Sequence, residues 1–138
     1  MTYQEVMDEI NATNAFGNFL GIKIEQVEAG YAKVSLEMKP EYTNPYNTAH
    51  GGVLYTMADM AGGTAAYSYG QPVVTVDSNF HFLNAGRNVT KLIGIGKELR
   101  NGKQIGVYEV LIMDQDENLL CSGTFTYAKI PANKVRNC

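Results

Sequence analysis

A single carboxylate, Asp59, stands inside "NTAHGGVLYTMADMAGG" (47–63), a run built otherwise almost wholly from Gly, Ala and apolar side chains. Such a carboxylate is costly unless it is paired, hydrogen-bonded or used. Nine positions earlier stands His50, followed by Gly51 and Gly52. If a helix starts there, its first N–H groups have no intrahelical partner, and the helix macrodipole adds partial positive charge. Glycine lets a reacting group come close to that backbone. The Gly51 N–H is therefore a candidate donor to a carbonyl oxygen in an oxyanion hole, a contact worth about 3–4 kcal/mol in the transition state.

One helix cannot bring both features to one reacting carbon. At about 1.5 Å rise per residue, His50 and Asp59 are roughly 13 Å apart along the axis. Two antiparallel copies in a symmetric dimer can do so, each helix giving its start to one site and its middle to the other. If both residues are functional, the spacing predicts a homodimer with two shared sites.

The elements that must position these residues follow from periodicity. Val6 and Ile10, four apart behind early acids, mark a short amphipathic helix over 2–10, which "NAFGNFLG" extends by a turn or two. "YAKVSLEM" (31–38) alternates strictly and is a half-buried strand, paired with "IKIEQV" through a turn at 28–30. The Pro- and Asn-rich "KPEYTNPYNTAH" continues neither period. The helix from Gly51 has room for four or five turns, with Gly70 as its stop signal and Pro72 just beyond. On helical spacing Asp59 shares its face with Tyr55, Thr56, Gly62 and Gly63, so the carboxylate faces a notch that something else must fill.

"VVTVDSNFHFL" (73–83) places Val74, Val76, Phe80 and Phe82 on one face and Thr75, Asp77, Asn79 and His81 on the other. "KLIGIGKEL" and "KQIGVYEVLIMD" flank Arg100–Asn101–Gly102, a hairpin signal, and "DQDEN" turns into "LLCSGTFTYAKI". The sum is an α+β architecture, an antiparallel sheet of about six strands wrapped around one long central helix. A helix so enclosed is apolar nearly all round, as this one is.

Composition narrows the function classes. With 138 residues the chain (1–138) is expected to form a single domain. A net charge of −3 without a basic stripe speaks against a nucleic-acid partner. The N-terminal segment carries acids where a signal peptide needs bases, and no apolar run is long enough for a membrane span. Cys121 and Cys138 have no metal spacing, and with Cys121 in a strand-like run and Cys138 the last residue no structural disulfide is expected, so reduced thiols and a cytoplasmic location are expected.

"HGGVLYTMAD" preceded by "TNPYNTA" resembles the hotdog-fold acyl-CoA thioesterases, in particular the phenylacetyl-CoA thioesterase-like group. The resemblance covers nearly the whole chain and implies the hotdog fold and hydrolysis of an acyl-CoA thioester. It implies Asp59 as the catalytic carboxylate, acting as general base or as nucleophile. Gly51 is then the donor to the thioester carbonyl, and His50 shapes the loop or contacts the thioester. Asn44, six before His50, matches the polar residue that positions water, with Asn47 as a competing match. Thr75 falls where relatives carry a hydroxyl near the carboxylate. Asp59 and Thr75 are then expected to work with Asn44, His50 and Gly51 of the neighbouring subunit. Gly52, Tyr55, Met60 and Gly63 are expected on the substrate side, and Asn84 and Arg87 along the pantetheine or phosphates.

No metal and no cofactor are required, since coenzyme A is part of the substrate. Two dimers pairing into a homotetramer is a further expectation that the sequence leaves open. Two other readings remain: a non-catalytic acyl-CoA-binding module, and a hotdog enoyl-CoA hydratase or dehydratase. The acyl group is not legible, although Tyr-rich surroundings lean towards aryl esters.

Overall fold

In the computed structural model, residues 1–135 are described. The chain runs α1 (Tyr3–Thr13), α2 (Ala15–Leu20), β1 (Lys23–Glu28), β2 (Tyr31–Glu37), α3 (Gly51–Tyr67), β3 (Val73–Phe82), β4 (Lys91–Asn101), β5 (Ile105–Met113), β6 (Leu119–Lys129) and α4 (Ala132–Val135). A 3-10 turn at Pro40–Tyr42 lies between β2 and α3. The sheet order is β1-β2-β4-β5-β6-β3, with every neighbouring pair antiparallel.

The sheet curls around α3 and buries most of it. Met57, Ala58, Ala61 and Ala65 are fully buried against Val34, Leu92, Val110 and Phe125. Small residues set the approach distance. A Cβ on Gly96 would come within 2.4 Å of the Ala61 carbonyl oxygen, so β4 can lie against the helix backbone only because that position is glycine. Capping defines the ends. Thr2 opens α1 with a capping box to Glu5, and α3 ends at Tyr67, with Gly70 left-handed at φ 83° just beyond.

Two local expectations are corrected. The N-terminal helix does not continue through "NAFGNFLG". Asn14 caps the end of α1 with its backbone N–H and the start of α2 with its side chain, which accepts from Gly17 N. The hairpin expected at Arg100–Asn101–Gly102 joins β4 to β5, with Asn101 still in β4 and residues 102–104 making the connection. The second correction bears on the site. β3 carries a bulge between Thr75, opposite Tyr127, and Asp77, opposite Thr126. The extra residue shifts the alternation by one. Thr75 consequently shares the helix-facing side with Ser78, Phe80 and Phe82, while Val74 and Val76 are exposed at 47% and 54%.

Candidate active site

α3 places Asp59 at mid-helix, half-buried. Because of the bulge, β3 turns Thr75 towards it, and the Thr75 hydroxyl donates to Asp59 Oδ1 at 2.7 Å. β6 supplies a second donor that sequence reasoning missed. The Tyr127 hydroxyl shares its proton between Asp59 Oδ1 at 3.1 Å and the Asp59 carbonyl at 3.0 Å. Tyr127 is 2% exposed. Burial, then the Asp59 charge, raises its pKa well above the usual phenol range, so it remains a donor.

The notch on the helix is explained by the same residue. A Cβ on Gly62 would lie 2.4 Å from the Tyr127 oxygen, so the glycine makes room for the phenol. The signals were present, in the alternation of "TFTYAK" and the mid-helix glycine. What was hidden was the meeting of Tyr127 with Asp59, 68 positions away in the chain.

The start of α3 is arranged differently. His50 is the N-cap, and its Nδ1 accepts from Gly52 N–H at 2.8 Å. The Val53 and Leu54 N–H groups donate to the His50 carbonyl. Gly51 N–H alone among these first donors has no acceptor among the described residues. His50 therefore acts here as a cap, and the donor it leaves open is that of Gly51. With Nδ1 accepting, the neutral ring carries its proton on Nε2.

Asn44 organises the preceding loop. Its Oδ1 accepts from the N–H groups of Tyr46 and Thr48, and its Nδ2 donates to Thr48 Oγ1. It lines a cavity of about 310 Å³ together with Gly51, Leu54, Phe82 and Asn84. Asn47 is exposed with φ 62° and does not line that cavity.

Within one chain the expected residues fall into separate groups. Asp59, Met60, Gly63, Thr75 and Tyr127 line one cavity of about 450 Å³, bounded on its far side by Tyr67, whose hydroxyl donates to Glu9. Asn44 and Gly51 line the second. His50 and Gly52 border a third, about 690 Å³, with Phe16, Phe19, Tyr42 and Thr56. Asn84 links the second cavity to a fourth that contains Arg87, Asp114 and Asn118. Tyr55 lines none of these four. Its ring packs on Phe80 and Phe125, and its hydroxyl hydrogen-bonds Ser78 Oγ at 2.6 Å.

Cys121 is buried, and burial pushes its thiol pKa up to about 12. Cys138 lies outside the described residues. Among the described residues, no group of three or more His, Cys, Asp or Glu is gathered where a metal ion could be held. None of their helices is long and apolar enough to cross a membrane.

A helix wrapped by a six-stranded antiparallel sheet, with a carboxylate at its middle and an open N–H at its start, defines a class. Residues 46–121 match the Thioesterase superfamily. The chain belongs to that superfamily and is a thioester hydrolase with the hotdog fold. More narrowly, it falls in the PaaI-like group. It is 31% identical over 104 residues to the acyl-coenzyme A thioesterase PaaI of Escherichia coli K12, covering 75% of this chain and 74% of that protein. The structure of the E. coli PaaI protein from the phenylacetic acid degradation operon superposes with a TM-score of 0.89 at 26% identity, covering 93% of each chain. A Streptococcus mutans UA159 protein solved with acetyl-CoA gives a TM-score of 0.76 at 27% identity, covering 81% of this chain and 90% of that one.

Proposed function

We propose that the protein hydrolyses acyl-CoA or aryl-acyl-CoA thioesters to free acid and coenzyme A, at sites shared between two subunits. The observation that carries this reading is the division of labour along α3. Asp59 and Thr75 border one cavity, while Asn44 and the unengaged Gly51 N–H border another. An antiparallel partner helix would bring the second set opposite the first.

The edge of the sheet supports such a partner. β3 is the terminal strand, ten residues long, with one side unpaired. Val76, Phe82 and Leu83, on and just after it, are exposed at 54%, 57% and 50%, an apolar exposure that a second copy would cover. The acyl-CoA substrate is supported by the PaaI relative and by the neighbour solved with acetyl-CoA.

In this account the Gly51 N–H and the helix dipole hold the thioester oxygen. Asp59 takes a proton from water as the oxygen of that water adds to the carbonyl carbon. The tetrahedral intermediate collapses and its C–S bond breaks. The proton held by Asp59 then passes to the departing thiolate, leaving acid, coenzyme A and a regenerated carboxylate. Asn44, which borders the same cavity as Gly51, holds the water in this reading through its remaining Nδ2 hydrogen, and the path from Gly51 past Asn84 to Arg87 is where the coenzyme would lie.

Thiol release from a panel of acyl-CoAs tests the reading. The buried Cys121 contributes little background, so Cys138→Ser suffices to clear the assay. At least one ester should release coenzyme A catalytically. Binding without release would favour a non-catalytic module, and conversion of an enoyl-CoA without thiol would favour a hydratase.

A further inference from the structure

We infer that Tyr127 is a positioning residue for Asp59: with Thr75 it clamps Oδ1 and leaves Oδ2 as the oxygen that meets the water. The inference rests on the hydrolytic reading above. Two hydroxyls, from different strands, converge on the same carboxylate oxygen. Among the described residues no hydrogen bond engages Oδ2, and Asp59 borders a cavity large enough for a substrate group.

Tyr127 also donates to the carbonyl of the same residue, so one phenol ties side chain and backbone of Asp59 together. That arrangement removes the freedom of the carboxylate to rotate and exchange its two oxygens. A general base so held keeps one lone pair aimed at the attack position, the condition on which orientation effects depend. Gly62 is part of the device, because any side chain there would displace the phenol. A glycine in the middle of a helix costs roughly 1 kcal/mol against alanine, and here it leaves the space that the Tyr127 hydroxyl needs.

Two variants test this, measured as kcat and KM on the best ester from the panel. Tyr127→Phe keeps the ring in the core and deletes the donor. We expect kcat to fall roughly ten- to a hundredfold, the scale of an ångström's misplacement, with KM changed less than about twofold. Gly62→Ala, whose Cβ would press on the hydroxyl, should reproduce that pattern. In the Tyr127→Phe background it should add less than about threefold, because the two lesions act on one contact. If Tyr127→Phe does not fold, Gly62→Ala carries the same kcat-against-KM reading.

The inference is overturned if either variant folds and keeps kcat within about twofold of wild type, or if it raises KM as much as it lowers kcat. Asp59→Asn separates the two levels. If it retains activity, Asp59 is not the base and the mechanism built on it has failed. If it is inactive while Tyr127→Phe is normal, only the clamp has failed.

Discussion

Asp59→Asn should lower kcat by roughly a hundred- to ten-thousandfold while leaving the fold intact, the range a positioned general base contributes. The amide is isosteric, and its carbonyl oxygen can still accept from Thr75 and Tyr127, so neither hydroxyl is stranded. What the substitution removes is the basic second oxygen. Thermal denaturation should therefore show a melting temperature near that of wild type, while thiol release collapses. A folded Asp59→Asn enzyme within tenfold of wild type would remove the carboxylate from the mechanism.

Gly51→Pro should be nearly as damaging, by a different route. Proline is favoured at the first helical position because the N–H it lacks has no intrahelical partner there. The preceding residue must be extended, and His50 already is, at φ −66° and ψ 133°. The helix should therefore form as before, and the one group lost is the unengaged N–H. Removing a single oxyanion donor costs about a hundred- to a thousandfold in kcat. Gly51→Ala is the control. It keeps the N–H and places a Cβ 3.3 Å from the edge of the Phe82 ring, a contact that a shift of a few tenths of an ångström relieves. Loss of activity in Gly51→Pro but not in Gly51→Ala would assign the effect to the donor. Equal losses would assign it to bulk.

How far the sequence disclosed this arrangement depended on range. α3 was legible because its signals are local: the glycines after His50 at one end, Gly70 at the other, and an apolar surface all round. β2 buries Ala32, Val34 and Leu36 as its alternation implies, and β5 alternates along its whole length, whereas β1 and β4 carry bulges of their own. The faces of β3 could not be read, because a bulge leaves no mark in a run of Val, Thr and Asp. The misplaced face put Thr75 with His81, and only the register against β6 turns it to Asp59. The resemblance had already placed a hydroxyl at that position by motif rather than by geometry.

Tyr127 was hidden for a related reason. Its strand placement could be read, but its contact to Asp59 spans 68 positions, a range at which spacing carries no signal. His50 shows the opposite case. Its type and position suggested chemistry, and the structure uses its ring nitrogen to satisfy Gly52, which is what leaves Gly51 open. Spacing favoured Asn44 with Asn47 left as a competing match, and the Asn44 side chain holds the loop and borders the Gly51 cavity.

The central claim is that Asp59 of one subunit works with Gly51 of another, and a subunit-mixing experiment tests it most directly. Asp59→Asn and Gly51→Pro chains, each nearly inactive alone, are unfolded together in equal amounts and refolded. Random pairing makes about half the dimers mixed, and each mixed dimer has one site free of both lesions, so about a quarter of wild-type activity should return. If activity stays at the residual level of the two parents although mixed dimers have formed, each site is built within one chain and the account is wrong.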